Sequence, residues 1–260
     1  MQSEERKAKI DAYLQEAEFA SLGELAEKVG KSVSTVRRDL AEMEQAGKVR
    51  RTHGGARSLL PRSDEFVFNV RDTRQVEEKE AIGEACAALI ERGQIVTIDA
   101  GTTCFHAATH LMDKAGQVIT NSLPIANLFA GSSRQEVLVS GGIIYPRLGV
   151  LLGPHAVETF TGVHADVAIL SGSGICEEGI YNSHALLVDI QRAMMAGAAK
   201  VIFCLDHTKF GRRSTFFLSD FESVDVVVTD TEAPEALVNA LRVKGIEVVL
   251  APIPAAAAAK

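Results

Sequence analysis

The sequence predicts an α/β protein in two parts: a small N-terminal helical module with a β-hairpin, and a larger Rossmann-like α/β domain. Three observations carry this. Three helical patterns follow one another within the first fifty residues. After Glu77, seven short β-branched runs alternate with helical stretches. Charge divides the chain in the same way. Between Lys31 and Arg57 seven basic residues stand against three acids, a balance of +4, while the 260-residue chain carries −7, so the remainder carries −11. A basic segment joined to an acidic partner domain is the distribution of a nucleic-acid module. A solvated surface helix is the plain alternative on charge alone.

The first helical pattern runs from Ser3 to Ala17, with Ile10, Tyr13, Leu14 and Ala17 on one face. The second starts at Ser21, whose hydroxyl stands three residues before Glu24 as in a capping box. It carries Leu22, Leu25, Ala26 and Val29, and Gly30 stops it. The third opens at Ser32 and ends at Gly47, with Val33, Val36, Leu40 and Met43 expected to face inward. That leaves Ser32, Ser34, Thr35, Arg37 and Arg38 outside, near its N-terminal half. Only Gly30-Lys31-Ser32 separates helices two and three, the turn length of a helix-turn-helix. The outer face suits DNA: Arg forks onto guanine or phosphate, and Ser and Thr let a helix sink into the major groove. Lys48 to Ala56 reads as a β-hairpin wing with two glycines at its tip. Its Arg50, Arg51, Thr52 and His53 are expected on phosphate or in the minor groove. A plain three-helix bundle would need the spacing, the basic face and the basic wing to coincide by chance.

These readings divide the chain into a winged helix-turn-helix (residues 1–57), a linker (58–76), a ligand-binding α/β domain (77–251) and a Pro/Ala tail (252–260). In the third part a helix from Glu77 to Arg92 leads into strands at Gln94–Ile98, Val118–Thr120, Glu136–Val139, Asp166–Leu170, Val201–Leu205, Asp225–Val228 and Glu247–Leu250. Alternation with helices predicts a largely parallel sheet covered on both faces. Ligands of such sheets bind outside the carboxyl ends of the strands. Five of those ends carry small or polar residues: Asp99 with Gly101-Thr102-Thr103, Thr120-Asn121-Ser122, Ser140-Gly141-Gly142, Ser171 to Gly174, and Asp206 to Lys209. Gly101-Thr102-Thr103 also opens a helix, which makes it a candidate anion site, and Lys209 offers a positive charge. Any one glycine pair reads better as an ordinary turn; the case rests on convergence of five ends. No GxGxxG follows the first strand and no GxxxxGK[ST] occurs, so nicotinamide dinucleotides and ATP are disfavoured and no cofactor is expected.

The run Ser34-Thr35-Val36-Arg37-Arg38-Asp39-Leu40, followed by Gly47 and by Arg51-Thr52-His53-Gly54-Gly55-Ala56, resembles the signature of the DeoR family of transcriptional regulators. Asp99 to Thr103, Thr120 to Pro124, Gly141-Gly142 and Asp206 to Arg212 resemble the effector-domain motifs of that family, in order. The resemblance extends from about Glu4 to Asp230. It implies that the third helix is the recognition helix. It also implies a second domain of the sugar-phosphate isomerase and CoA transferase type, a sugar phosphate or polyol derivative as effector, and a phosphate held at Gly101 to Thr103. Two positions depart from the family pattern: Ser173 stands where Asp is frequent, and Gln191 precedes Arg192-Ala193-Met194 where Lys is frequent. Loss of a cation there points to a less charged effector, or to Arg147 as a substitute.

Several classes are set aside. An isomerase with an added module needs a carboxylate beside the second strand's end, and Asn121, which cannot take a proton, stands there. That enzyme is the runner-up, and no catalytic residue is expected. His106 and His110 are spaced i,i+4 but lack the Glu of a zinc hydrolase and a third ligand, so no metal site is expected. A pure interaction protein is opposed by Arg37, Arg38 and the wing. Cys86, Cys104, Cys176 and Cys204 form no CxxC pair and are expected as buried free thiols. No apolar run reaches membrane-spanning length and the charged N-terminus is no secretory signal, so a cytoplasmic protein is expected. The expected partners are double-stranded operator DNA, the effector, and further copies of the chain as a dimer or tetramer, with the regulator acting as a repressor.

Overall fold

Caps and the left-handed glycines Gly30 and Gly47 shape the N-terminal unit. In the computed structural model, which describes residues 3–17, 19–52, 54–58, 68–131 and 135–253, the chain divides into two compact units at residues 1–70 and 71–260. The division falls inside the stretch read as a linker. In the first unit α1 (Ser3–Ala17) and strand β1 (Phe19–Ser21) precede α2 (Leu22–Val29) and α3 (Val33–Gln45). The Ser21 side chain accepts from the Glu24 amide at 3.2 Å while Glu24 Oε2 accepts from the Ser21 amide at 2.7 Å, the reciprocal box that starts α2. Those bonds hold the Glu24 carboxyl below its usual range, the backbone bond contributing most. At Gly30 the backbone turns left-handed (φ 62°, ψ 40°), a conformation that side chains with a Cβ resist. This turn sends the chain directly into α3.

Strands β2 (Val49–Arg51) and β3 (Gly55–Ser58) form the wing, and β1 pairs with β3 to give an antiparallel sheet ordered β1-β3-β2. Ile10, Leu14, Leu25, Val36, Leu40 and Val49, all at 0% exposure, close the core of this unit. Val33 does not join them. It is 38% exposed at the first position of α3, contrary to the expectation that it faces inward. The third helix needs only Val36, Leu40 and Met43 to fill its apolar stripe.

The second unit begins within α4 (Phe68–Asp72), followed by α5 (Val76–Ala88). Then come β4 (Ile95–Ile98), α6 (Thr102–Thr109), β5 (Gln117–Thr120), α7 (Leu123–Ala130), β6 (Glu136–Val139), β7 (Ile143–Tyr145), β8 (Val150–Leu152), α8 (Pro154–Thr161) and β9 (Ala165–Leu170). The rest of the order is β10 (Gly174–Cys176), β11 (Gly179–Asn182), α9 (Ala185–Ala196), β12 (Ala198–Cys204), a 3-10 turn (His207–Lys209), β13 (Phe216–Ser219), β14 (Val226–Asp230), α10 (Glu235–Val243) and β15 (Glu247–Ala251). Among the described residues seven of these strands form one all-parallel sheet ordered β15-β14-β12-β9-β4-β5-β6. They are the seven β-branched runs, shifted by a few residues at their ends.

Alternate residues of the central strands (Val96, Ile98, Val167, Ile169, Ile202, Val226 and Val228) join α5, α6 and α7 in one apolar cluster. Helix α9 packs against β9 and β12, and its apolar residues lie outside that cluster. Parallel strands put all their carboxyl ends on one edge, so Asp99, Asn121, Ser140, Ser171 and Asp206 stand along it. Two small antiparallel sheets were not anticipated, the hairpin β7-β8 and β10-β11-β13. Cys86, Cys104 and Cys204 are buried free thiols, as expected. Cys176 is not buried; its Sγ donates to Glu178 Oε2 at 2.8 Å.

Candidate nucleic-acid interface and effector site

Each half of α3 has its own chemistry. Ser32 caps the helix, its Oγ accepting from the Thr35 amide at 3.3 Å and lying 2.8 Å from Ser34 Oγ and 3.0 Å from Thr35 Oγ1. Three hydroxyls therefore cluster at the helix N-terminus, where backbone N–H groups lack helical partners. Ser34, Arg37 and Arg38 are exposed and Thr35 is half-buried. The motif's Asp39 points the other way: it is 3% exposed and accepts two bonds from the Arg6 guanidinium of α1, at 2.5 and 2.8 Å. That fork raises the Arg6 pKa above its already high ordinary value. Arg37 and Arg38 thus face solvent because their neighbour Asp39 anchors the helix to α1.

In the wing Arg50, Arg51 and Thr52 are exposed. Arg51 is already engaged. Its Nε donates to Glu44 Oε2 at 2.7 Å and its amide to Glu44 Oε1 at 2.9 Å, which holds the Glu44 carboxyl below its usual range. Arg50 is the freer wing cation of the two. His53 lies outside the described residues.

At the sheet edge one hydrogen-bonded network joins several residues chosen from the sequence. Asp99 Oδ2 accepts from Ser171 Oγ at 2.9 Å, from the Ser171 amide at 3.3 Å and from Gln191 Nε2 at 2.9 Å. Gln191, at 0% exposure, also donates to the Ser171 carbonyl and accepts from Asn182 Nδ2 at 2.7 Å. Ser173 Oγ lies 3.3 Å from Ser183 Oγ and 3.5 Å from Asn182 Oδ1. Burial pushes the Asp99 carboxyl up, partly offset by its hydrogen bonds, and no cation among the described residues is hydrogen-bonded to it. Gly101 belongs here for a steric reason: a Cβ would come within 1.9 Å of Ser171 Oγ. Thr102 and Thr103 form the first turn of α6 and are buried, 2% and 6% exposed.

Thr120 donates through Oγ1 to the Ile98 carbonyl at 2.7 Å, and the Ser122 hydroxyl caps α7 by accepting from the Ile125 amide at 3.3 Å. Asn121 Nδ2 donates to the Leu151 carbonyl at 3.3 Å, tying this strand end to the β7-β8 hairpin. Gly141 and Gly142 are exposed and lead into that hairpin, and Arg147 is half-buried in its turn. Lys209 is not bonded into the Asp99 network. Its Nζ donates to Thr208 Oγ1 at 2.9 Å and lies 3.4 Å from Asp206 Oδ2.

One residue matters here that the sequence did not mark. Lys79, 4% exposed on α5, donates to the carbonyls of Arg71 and Arg74, and burial brings its pKa down to about 8 against the pull of Asp206. His106 lies 3.2 Å from Asp72 Oδ1 and 2.9 Å from Glu80 Oε2, and His110 reaches Glu80 as well. Both hold the segment that enters the second unit onto α5 and α6. A lysine within Glu77-Glu78-Lys79-Glu80 looks like a solvated helix position, so its burial had no sequence signal.

Residues 6–62 match the model of the DeoR-like helix-turn-helix domain, and residues 74–231 that of the DeoR C-terminal sensor domain. The HTH-type transcriptional regulator GolR of Listeria innocua serovar 6a is 31% identical over 95% of this chain and 98% of its own length. The HTH-type transcriptional regulator UlaR of Escherichia coli is 25% identical over 88% of this chain and 92% of its own. Ribose 5-phosphate isomerase A from Neisseria gonorrhoeae aligns with a TM-score of 0.38 and 13% identity, over 52% of this chain and 53% of that one. No helix among the described residues is long and apolar enough to cross a membrane. The chain belongs to the DeoR family, and is a DNA-binding transcriptional regulator whose C-terminal part is a sensor domain.

Proposed function

We propose that the chain represses carbohydrate catabolic genes from the cytoplasm, as a dimer or tetramer, until a sugar phosphate or related polyol derivative binds its sensor domain. Ser32, Ser34, Thr35, Arg37 and Arg38 read operator DNA from α3, with Arg50, Arg51, Thr52 and His53 on the backbone or minor groove. Asp99, Gly101 to Thr103, Thr120 to Ser122, Gly141, Gly142, Arg147, Ser173 and Lys209 take the effector. The functional boundaries are those read from the sequence: 1–57 for DNA, 77–251 for sensing. An enzyme is not favoured, since the relatives are named as regulators and Asn121 stands where an isomerase would need a carboxylate.

One observation carries the DNA reading: Arg37 and Arg38 stay exposed on α3 while Asp39 between them and the core is consumed by Arg6. Symmetry supports the oligomer, because one small module binds weakly and paired half-sites double the contact. The effector shifts DNA affinity only by binding one arrangement of the modules better than another. The test is a gel shift on DNA flanking the protein's own gene. Arg37→Ala with Arg38→Ala should remove specific binding and leave thermal stability nearly unchanged; an unaltered shift would refute the assignment.

A further inference from the structure

We infer that Asn121 and Ser140 form a hydroxyl-recognition subsite that takes two neighbouring hydroxyls of a polyhydroxylated effector. This rests on the strand-end edge being the effector site, and it names the chemistry of one end of that site. The Ser140 amide donates to the Thr120 carbonyl at 2.9 Å, the bond that closes the last pair of the β5-β6 ladder, Thr120 with Val139. Asn121 and Ser140 are therefore the first residues past that pair, on neighbouring strands whose spacing is roughly 4.8 Å. Asn121 is 0% exposed and Ser140 3%.

The hydroxyls on either side of Asn121 already have partners within the fold, Thr120 on the Ile98 carbonyl and Ser122 as a helix cap. Asn121 and Ser140 are not. The bond from Asn121 Nδ2 to the Leu151 carbonyl fixes which way the amide faces and leaves Oδ1 without a donor among the described residues. Ser140 Oγ likewise has no partner among them. A buried polar atom left unmatched destabilises the fold, and two on adjoining strand ends at a ligand edge indicate groups held for a ligand. Asn121 Oδ1 can only accept, whereas a serine hydroxyl donates and accepts. Their complement is a donor beside a donor-acceptor, which is a pair of hydroxyls. An ionised phosphate or carboxylate oxygen offers Oδ1 no proton.

The test uses the full chain with ribitol, xylitol, mannitol and galactitol, each free and as its terminal phosphate ester, beside inorganic phosphate. Thermal shift selects the probes that bind and calorimetry gives their Kd. Ser140→Ala should weaken the best polyol probe by about tenfold, as loss of one hydrogen bond does. It should leave the unliganded midpoint equal or higher, since it deletes an unmatched hydroxyl. Asn121→Ala should weaken the probe at least as much, though it also loses the Leu151 bond. Polyol binding unchanged in both variants would overturn the subsite. If Thr102→Val with Thr103→Val then abolishes binding, the strand-edge reading survives without it; if not, both fall. A panel in which no polyol shifts the wild-type chain would refute the hydroxyl class outright.

Discussion

In the N-terminal unit Asp39 is 3% exposed and gripped by the Arg6 guanidinium through two bonds; in the second unit Asp99 is also 3% exposed but receives only neutral donors, from Ser171 and Gln191. Lys79 repeats the second pattern with the opposite sign, its ammonium bound by two carbonyls. The difference separates two uses of a buried charge. A charge with a counter-ion is framework: it fixes α1 against α3. A charge held mainly by dipoles sits closer to its neutral form, so its state answers to whatever binds beside it. The first unit commits the Asp39 charge to rigidity, and the second unit leaves those of Asp99 and Lys79 adjustable.

Breaking the framework pair should have the largest effect. Arg6→Met leaves Asp39 buried without its cation, and removal of one partner of a buried pair costs far more than the pair contributes. The first unit should then unfold at clearly lower denaturant, with operator binding lost alongside. Converting the pair to two apolar residues should recover most of that loss. A midpoint unchanged in Arg6→Met would mean that the pair is incidental.

The converse change sharpens the comparison. Gln191→Leu removes donors from Asp99 and Ser171 and an acceptor from Asn182, and should destabilise the second unit by about 1–3 kcal/mol. Gln191→Lys, which restores the residue frequent in the family, should place a cation beside Asp99 and draw its pKa down. The sign follows from linkage. In the wild type the folded pKa of Asp99 is raised, so its contribution is fully present below the ordinary value of 3.8 and is lost as pH rises through the raised one. Urea midpoints measured from pH 4 upward should show this loss in the wild type and not in Gln191→Lys.

Lys79 should respond in the opposite direction. Its folded pKa is about 8 against an ordinary 10.5, so between those values the unfolded chain holds more protons and this residue makes stability rise with pH. Lys79→Met should remove that rise while leaving the Asp99 effect in place. Identical pH profiles in the two proteins above pH 8 would show that the ammonium is solvated.

How legible these features were depended on how local their causes are. The seven parallel strands declared themselves because β-branched runs and intervening helices are local signals, and the HTH turn because Gly30 and Ser32 act on their own neighbours. Strands of three residues such as β1, β7 and β8 have no local signature and exist through their pairing partners. The Arg6–Asp39 pair spans 33 positions and the Gln191–Asp99 bond 92, so neither follows from spacing. Gln191 was visible as a departure from the family pattern, yet its role as bridge between Asp99, Ser171 and Asn182 needed the fold.

Val33 offers the smallest and most exacting test of the same contrast. It was assigned to the core by helical periodicity, and it stands 38% exposed beside the Ser32, Ser34 and Thr35 hydroxyls. An apolar side chain at the exposed start of a recognition helix is suited to a thymine methyl in the major groove. Val33→Ser should therefore change stability by no more than about 0.5 kcal/mol, the usual range for a surface position. Operator affinity should fall by about 1 kcal/mol, confined to one base pair of the site. A stability loss of about 2 kcal/mol or more would return Val33 to the core and leave Ser34, Thr35, Arg37 and Arg38 as the reading face. A uniform loss across all operator sequences would instead mark Val33 as a backbone contact, because only a base-edge contact discriminates.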